Sequence, residues 1–518
     1  MKQLTGLDST FLFLETAQMP MHVGALHLLE MPPGYRGNWA NDLRKHLASR
    51  LHLTPPLRRK LAWMPLNLAN PAWVHAEPDM GYHVQTLKIG KVAKGSNGLR
   101  EMEVLVGKLH SQLLDRTRPL WRFFVVEGLP NTPEGNKVMG FYSQLHHAAV
   151  DGQAAVALAQ IILDLTPEPR AIAPGEKRPR KANLSMADML SGIVVNQIEQ
   201  YRKLARALPS AVGTLSSVLS DTAVKTAGGM IQGDPTVSNV SLAPRTAFNA
   251  TLTAPRAFAT ASIPMADIKA VGKGLGATVN DVVLAVTSGA LRRYLKAHRA
   301  LPSKSLIAAV PISLREKGDT SASNQASMTL VSLGTHIAQP AKRMAHIQEA
   351  TGAMKNLVSN VKSLMPTDFP TLGVPWLMSG AAKLYGKTRA ADRIPQMANL
   401  VISNVPGPAT ALYLAGGKML CNYPTSIVVH GVGLNLTVQS YNGRMDFGFM
   451  AAADAMPDVR ALADAVDEAW AEVQALAVSP KRRAVEAAPQ KGRASPQTRK
   501  PSAAKKTSIR ASSTTSRR

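Results

Sequence analysis

His146-His147-Ala148-Ala149-Val150-Asp151-Gly152 separates two stretches of different periodicity. Before it, Lys137 to Leu145 reads as an apolar strand. After it, Leu158, Ile161, Ile162 and Leu165 recur at i, i+3, i+4 and i+7, the spacing of one helix face. The seven residues therefore lie at a strand-to-helix junction, with Asp151 at the N-cap position and Gly152 in the turn. Two readings follow from the residues alone. In the structural one, two histidines end a strand and Asp151 caps a helix. In the chemical one, an imidazole faces a cavity and accepts a proton near neutral pH, while Asp151, four residues after His147, turns back toward its loop. A metal reading lacks a third ligand, since the chain has neither HExxH nor CxxC and a single cysteine, Cys421.

The surrounding pattern is mixed α/β. Leu43 to Leu51 and Glu103 to Leu114 have helical apolar spacing, and Trp121 to Glu127 reads as a strand. Pro167 and Pro169 end the helix after Gly152, and PEPRAIAPGEKRPRKANLS then reads as a linker, followed by a weakly helical stretch from Met186 to about Ala227. A second α/β pattern runs from Ala247 to about Val478. Near its end, Gly433 to Ser440 and Arg444 to Met450 form a hairpin pattern across Asn442-Gly443. The expected divisions are 1–165, a linker at 166–245, 246–478, and a basic tail at 479–518 that is too poor in large apolar residues to fold.

Composition narrows the class. At 518 residues and 45% hydrophobic, the chain has material for more than one core. Net charge is +26, and the tail after Val478 holds 12 Lys and Arg against one acid, Glu486. Such a balance predicts anionic partners: phospholipid surfaces, the phosphates of CoA, or nucleic acid. Low aromatic content in the tail argues against base stacking. No apolar run reaches the length of a membrane span. Asp8 and Glu15 interrupt the opening segment, so it is not expected to act as a signal peptide. With its single cysteine, the chain is expected in the cytoplasm.

Other segments are ambiguous one at a time. Thr278-Val279-Asn280-Asp281 has the form of a capping box. Pro311-Ile312-Ser313-Leu314-Arg315 follows a strand-like run, Ser403-Asn404-Val405-Pro406-Gly407-Pro408 is a loop by composition, and Trp121 after Pro119-Leu120 is most simply a core residue.

In combination they are specific. The chain resembles the bacterial wax ester synthase/diacylglycerol acyltransferase family through LTGLDSTFLFLE with MPMHVGAL (Leu4 to Leu26), PLW (Pro119 to Trp121), HHAAVDG and PRTAFN (Pro244 to Asn249). ATVNDVVLAVTSGALRRYL (Ala277 to Leu295), PISLR, SNVPGP and SYNGRMDFGFMAAAD (Ser440 to Asp454) complete the match, which spans about residues 4 to 475. Two departures are Ser323-Asn324-Gln325, where the family often has Gly-Asn, and the basic tail. The resemblance implies two chloramphenicol-acetyltransferase-like halves, of the CoA-dependent acyltransferase fold, with a tunnel between them. It implies acyl-CoA as co-substrate, diacylglycerol or a long-chain alcohol as acceptor, and no cofactor or metal. It assigns His147 as general base and His146 as a residue shaping the site. It pairs Asp151 with Arg315 across the two halves, with Gly152, Asn280 and Asp281 in support. The chain has no GxSxG and no cysteine motif, so no covalent acyl-enzyme is expected. Peripheral association with the inner membrane or lipid inclusions is expected, with the apolar segment Phe369 to Leu384 either touching lipid or forming a buried helix. Alternative readings are a condensation-type enzyme using carrier-protein thioesters, and a non-enzymatic lipid-droplet or nucleoid binding protein.

Overall fold

The computed structural model describes residues 2–67, 69–150, 152–174, 242–313, 326–361 and 375–478. Asp151, Arg315, most of the expected linker and the basic tail lie outside them. The first half contributes β1 (Lys2–Gln3), β2 (His22–Glu30), β3 (Arg59–Ala62), β4 (Ala72–His75), β5 (Val84–Lys88), β6 (Trp121–Glu127) and β7 (Val138–His146). The second contributes β8 (Arg256–Pro264), β9 (Ile307–Ser313), β10 (Ala326–Ser332), β11 (Leu400–Val405), β12 (Tyr413–Leu414), β13 (Gly417–Met419), β14 (Tyr423–Thr425), β15 (Leu434–Tyr441) and β16 (Arg444–Ala452).

These strands make two large sheets and one small one. The first large sheet has the order β12-β13-β2-β7-β6-β5, with β14 also on β2, and the second has the order β10-β9-β11-β15-β16-β8. β1, β4 and β3 form the small sheet. The large sheets do not follow the division of the chain. β12, β13 and β14 leave the second half and complete the first half's sheet along β2, with Met419 opposite Leu29 and Tyr423 opposite Leu26. Gly448 on β16 allows the return. A Cβ there would stand 1.8 Å from the Pro424 carbonyl oxygen, so β14 can lie on β16 only over a residue without a side chain.

Each sheet has its own core. Phe123, Phe141, Trp121 and Trp39 fill the first, and Phe447, Phe449, Leu436 and Val286 belong to the second. A third cluster joins Met102, Phe124 and Tyr142 from the first half to Phe258 and Met450 from the second. The helix Leu99–His110 packs against β8 across this seam. Gly107 permits it, because a Cβ at that position would stand 2.6 Å from the Arg256 carbonyl oxygen.

Local expectations are met where the pattern is strong. β6 and β7 fall at 121–127 and 138–146, and the helix after the histidines spans Gly152–Ile162. The β15–β16 hairpin turns at Asn442 and Gly443 with φ of 43° and 79°, the positive pair that an Asn-Gly turn supplies. Phe369 to Leu384 is described only from 375, where the helix Pro375–Lys387 packs against the helix Gly6–Leu14. Among the described residues, no single helix is long and apolar enough to cross a membrane.

Candidate active site

The two histidines leave β7 in opposite roles. The His146 ring is fully buried, with one nitrogen hydrogen-bonded and the other close to a carboxylate. Its Nδ1 accepts the Ala148 N–H at 3.0 Å, so the proton resides on Nε2, which lies 3.2 Å from Glu15 Oε1. Burial pulls the His146 ring below its ordinary value even though Glu15 pulls it up. The Ala149 N–H donates to the His146 carbonyl at 2.9 Å and closes the turn. His147 follows half-buried, its ring stacked on Phe11 with centroids 4.1 Å apart and planes 15° from parallel. Its backbone N–H donates to the Met21 carbonyl at 2.8 Å. The pair is thus one sealed imidazole and one presented imidazole.

Beneath them lies a polar network that sequence reasoning missed. Glu15 ends the helix Gly6–Leu14 and its side chain is 1% exposed. Arg116 donates to its Oε2 from Nε at 3.0 Å and from Nη2 at 2.7 Å. The Met21 N–H reaches Oε1 at 3.2 Å, and His22 Nε2 lies 3.4 Å away. The Gln144 amide, anchored on the Leu109 and Gln112 carbonyls, faces His22 Nδ1 at 2.9 Å. The one available signal was an acid placed directly after an apolar helix, where burial demands partners. Its partner Arg116 is 101 residues away, beyond any local pattern.

The remaining predicted site residues divide. Gly152 opens the helix after the junction. Asp281 completes a capping box, accepting the Thr278 N–H at 2.8 Å and hydroxyl at 2.7 Å, and it also takes the Thr351 hydroxyl at 2.7 Å. Its carboxylate therefore ties the helix Val279–Ala297 to the helix Pro340–Val361. Asn280 is half-buried in the first turn beside it. Trp121 is a core residue, donating from its indole to the Leu57 carbonyl at 3.0 Å and stacking on His83 at 4.2 Å. Asn249 of PRTAFN is a buried hub that donates to the Gly431 carbonyl at 2.7 Å and accepts from Asn399 at 2.8 Å. The SNVPGP loop lines a cleft of about 480 Å³ with Lys269 and Arg444, and none of the histidines lies on it. Asp151 and Arg315 fall outside the described residues. Among those described, no three His, Cys, Asp or Glu side chains converge as metal ligands do.

With this geometry established, comparison with known proteins gives a consistent answer. The model for the wax ester synthase/diacylglycerol acyltransferase catalytic domain matches residues 4–283, and that for the C-terminal domain of the same family matches 322–474. A probable diacylglycerol O-acyltransferase of Mycobacterium tuberculosis is 33% identical over 467 residues, covering 88% of this chain and 95% of the relative. Among solved structures, the wax ester synthase/diacylglycerol acyltransferase of Marinobacter aquaeolei VT8 superposes with a TM-score of 0.64 at 28% identity, covering 92% of this chain and all of the other. The starter condensation domain of rhizomide synthetase superposes with a TM-score of 0.52 at 12% identity, covering 92% and 94%, a likeness of fold alone. The chain belongs to the wax ester synthase/diacylglycerol acyltransferase family and is an O-acyltransferase of the two-halved, CoA-dependent acyltransferase fold.

Proposed function

We propose that this enzyme transfers a long-chain acyl group from acyl-CoA to the hydroxyl of diacylglycerol, of a long-chain alcohol, or of both. The observation that carries the mechanism is the contrast within the histidine pair. His146 is fully buried, its Nδ1 taken by the Ala148 N–H and its Nε2 turned in beside the buried Glu15, so the proton acceptor is His147, half-buried one residue on. His147 takes the acceptor's hydroxyl proton as the oxygen attacks the thioester carbonyl. The tetrahedral intermediate collapses, the carbon–sulfur bond breaks, and the imidazolium returns the proton to the CoA thiolate. Transfer is direct. Cys421 is buried and its thiol is pushed well above the ordinary range, so it is an unreactive thiol rather than a nucleophile. Asp151 and Arg315 belong to this reading as a pair holding the two halves in register, with Asn280 and Asp281 supporting from the second half.

Free CoA release from palmitoyl-CoA, measured with diacylglycerol and with hexadecanol and followed by product identification, tests the reading. Acceptor-dependent thiol release with one or both is expected. Transfer from an acyl carrier protein but not from acyl-CoA would replace it with the condensation-type reading, and no release with any acceptor would remove it.

Substrates of this kind reside in a lipid phase, and one exposed segment of the chain suits contact with it. Leu384, Ile394 and Met397 are 60%, 48% and 63% exposed, and the exposed cations Lys383, Lys387 and Arg393 lie among them in the chain. Apolar anchors interspersed with cations bind anionic bilayers, with about 1 kcal/mol from each basic residue near the surface. The basic tail adds attraction of the same sign. The double variant Leu384→Glu/Met397→Glu is expected to lose most flotation with anionic liposomes and to keep its melting temperature. Undiminished flotation would place lipid contact elsewhere.

A further inference from the structure

Glu15 is buried at the end of the helix Gly6–Leu14, and three N–H groups donate to its two oxygens while two imidazole nitrogens lie close by. The donors are Met21 and, twice, Arg116, and the Nε2 atoms of His22 and His146 lie 3.4 and 3.2 Å from Oε1. A buried carboxylate in such a setting is an anchor. Burial pushes the Glu15 carboxyl up, but the facing imidazoles of His146 and His22 outweigh it and hold the group well below the usual carboxylate range. Three lines lead from this anchor to His147. The first runs through His146, whose Nε2–H faces Glu15. That tautomer leaves Nδ1 free to accept the Ala148 N–H and fold the turn just after His147. The second runs through Met21, whose N–H donates to Glu15 and whose carbonyl accepts the His147 N–H at 2.8 Å. The third runs through the helix. Arg116 donates both to Glu15 and to the Leu12 carbonyl at 2.7 Å, fixing the last turn of the helix whose Phe11 stacks on the His147 ring.

We propose that Glu15, with Arg116, is a positioning residue for acyl transfer. It fixes the His146 tautomer and the turn around His147, and so sets the direction in which the His147 ring is presented to the acceptor hydroxyl. The role rests on His147 being the base. Glutamine cannot replace Glu15. Its amide NH2 must point either at the Arg116 guanidinium or at the Met21 N–H, and in each orientation donor meets donor.

The test compares Glu15→Gln, Glu15→Asp and His147→Ala with the wild-type full chain. The measurements are kcat and acyl-CoA KM, the pH profile of kcat/KM, and thermal melting. Glu15→Gln is expected to lower kcat by about 10²-fold, the cost of a misplaced catalytic group, with KM within about twofold. The acidic limb of its profile should move to lower pH, because a negative charge that favours the imidazolium has gone. Glu15→Asp keeps the charge and all the donors on a shorter arm, so it is expected to fold, to restore the acidic limb and to recover part of kcat. If Glu15→Gln does not fold, Glu15→Asp decides: reduced kcat at unchanged KM supports the role, and wild-type kcat overturns it. A folded Glu15→Gln with wild-type kcat and an unmoved limb also overturns it. Activity in His147→Ala would remove the base assignment itself. An inactive His147→Ala beside a fully active Glu15→Gln would remove only the positioning role.

Discussion

Replacement of His147 by alanine is expected to lower kcat/KM for acyl transfer by about 10²–10⁴-fold, the range in which a positioned general base contributes, and to leave a folded enzyme. The structural ties of this residue explain the second half of that expectation. The backbone N–H bond to the Met21 carbonyl survives truncation. The ring is half-buried, and its stacking partner Phe11 sits on a helix that Arg116 holds independently. His146→Ala makes the opposite case. It removes a fully buried ring, leaves the Ala148 N–H without its acceptor and takes an imidazole from beside the buried Glu15, so lost stability should accompany lost activity. Steady-state CoA release beside thermal melts separates the two. A folded His147→Ala with near wild-type turnover would exclude His147 as the base.

The largest effect on stability is expected at Asp164, just beyond the helix Gly152–Ile162. Its carboxylate accepts two bonds from Arg50 Nη2, at 2.8 and 2.9 Å, and the Arg50 side chain is 1% exposed. His46 Nε2 lies 3.8 Å from the same carboxylate and 2.7 Å from the Ile162 carbonyl, tying the helix Trp39–Arg50 to the end of the helix that follows the histidine motif. Burial alone pushes the Arg50 guanidinium down, and Asp164 is what pulls it back. Asp164→Ala would strand that charge, and removing one member of a buried pair costs about 3–5 kcal/mol. A loss of that size in the unfolding free energy from urea titration is expected. The double change Arg50→Met/Asp164→Leu should recover most of the loss, because two apolar side chains leave no charge to solvate. A loss below about 1 kcal/mol in the single variant would show that water or neighbouring backbone supports Arg50 without the carboxylate.

Much of this site was legible along the chain, and the parts that were not have a common cause. The junction at His146, the helix after Gly152, the capping box at Thr278 and Asp281 and the Asn442-Gly443 turn are written in residues within a few positions of one another. Local periodicity and local hydrogen bonding specify such features. Glu15 and Arg116 meet only through the fold, and nothing near either residue announces the other. The two- and three-residue strands β12, β13 and β14 are too short for any alternation to be read, and they become strands because the edge of β2 is there to receive them. Asp281 shows the reverse case. Family resemblance placed it near the chemistry, local pattern placed it in a cap, and its bonds to Thr278 and Thr351 satisfy the local reading.

The crossing of β12 to β14 governs the order in which this chain becomes a protein on the ribosome. β2 emerges early, a nine-residue strand rich in apolar side chains, and gains β7 along one edge as soon as residue 146 is out. Its other edge belongs to residues 417–425, which are made almost three hundred residues later. For that whole interval the nascent first half presents an unfilled apolar strand edge, the template on which chains pair with one another. Completion of the sheet in the active-site half therefore waits on synthesis of most of the other half, although the partners of the histidine pair, Phe11, Glu15, Met21 and Arg116, are all made before it.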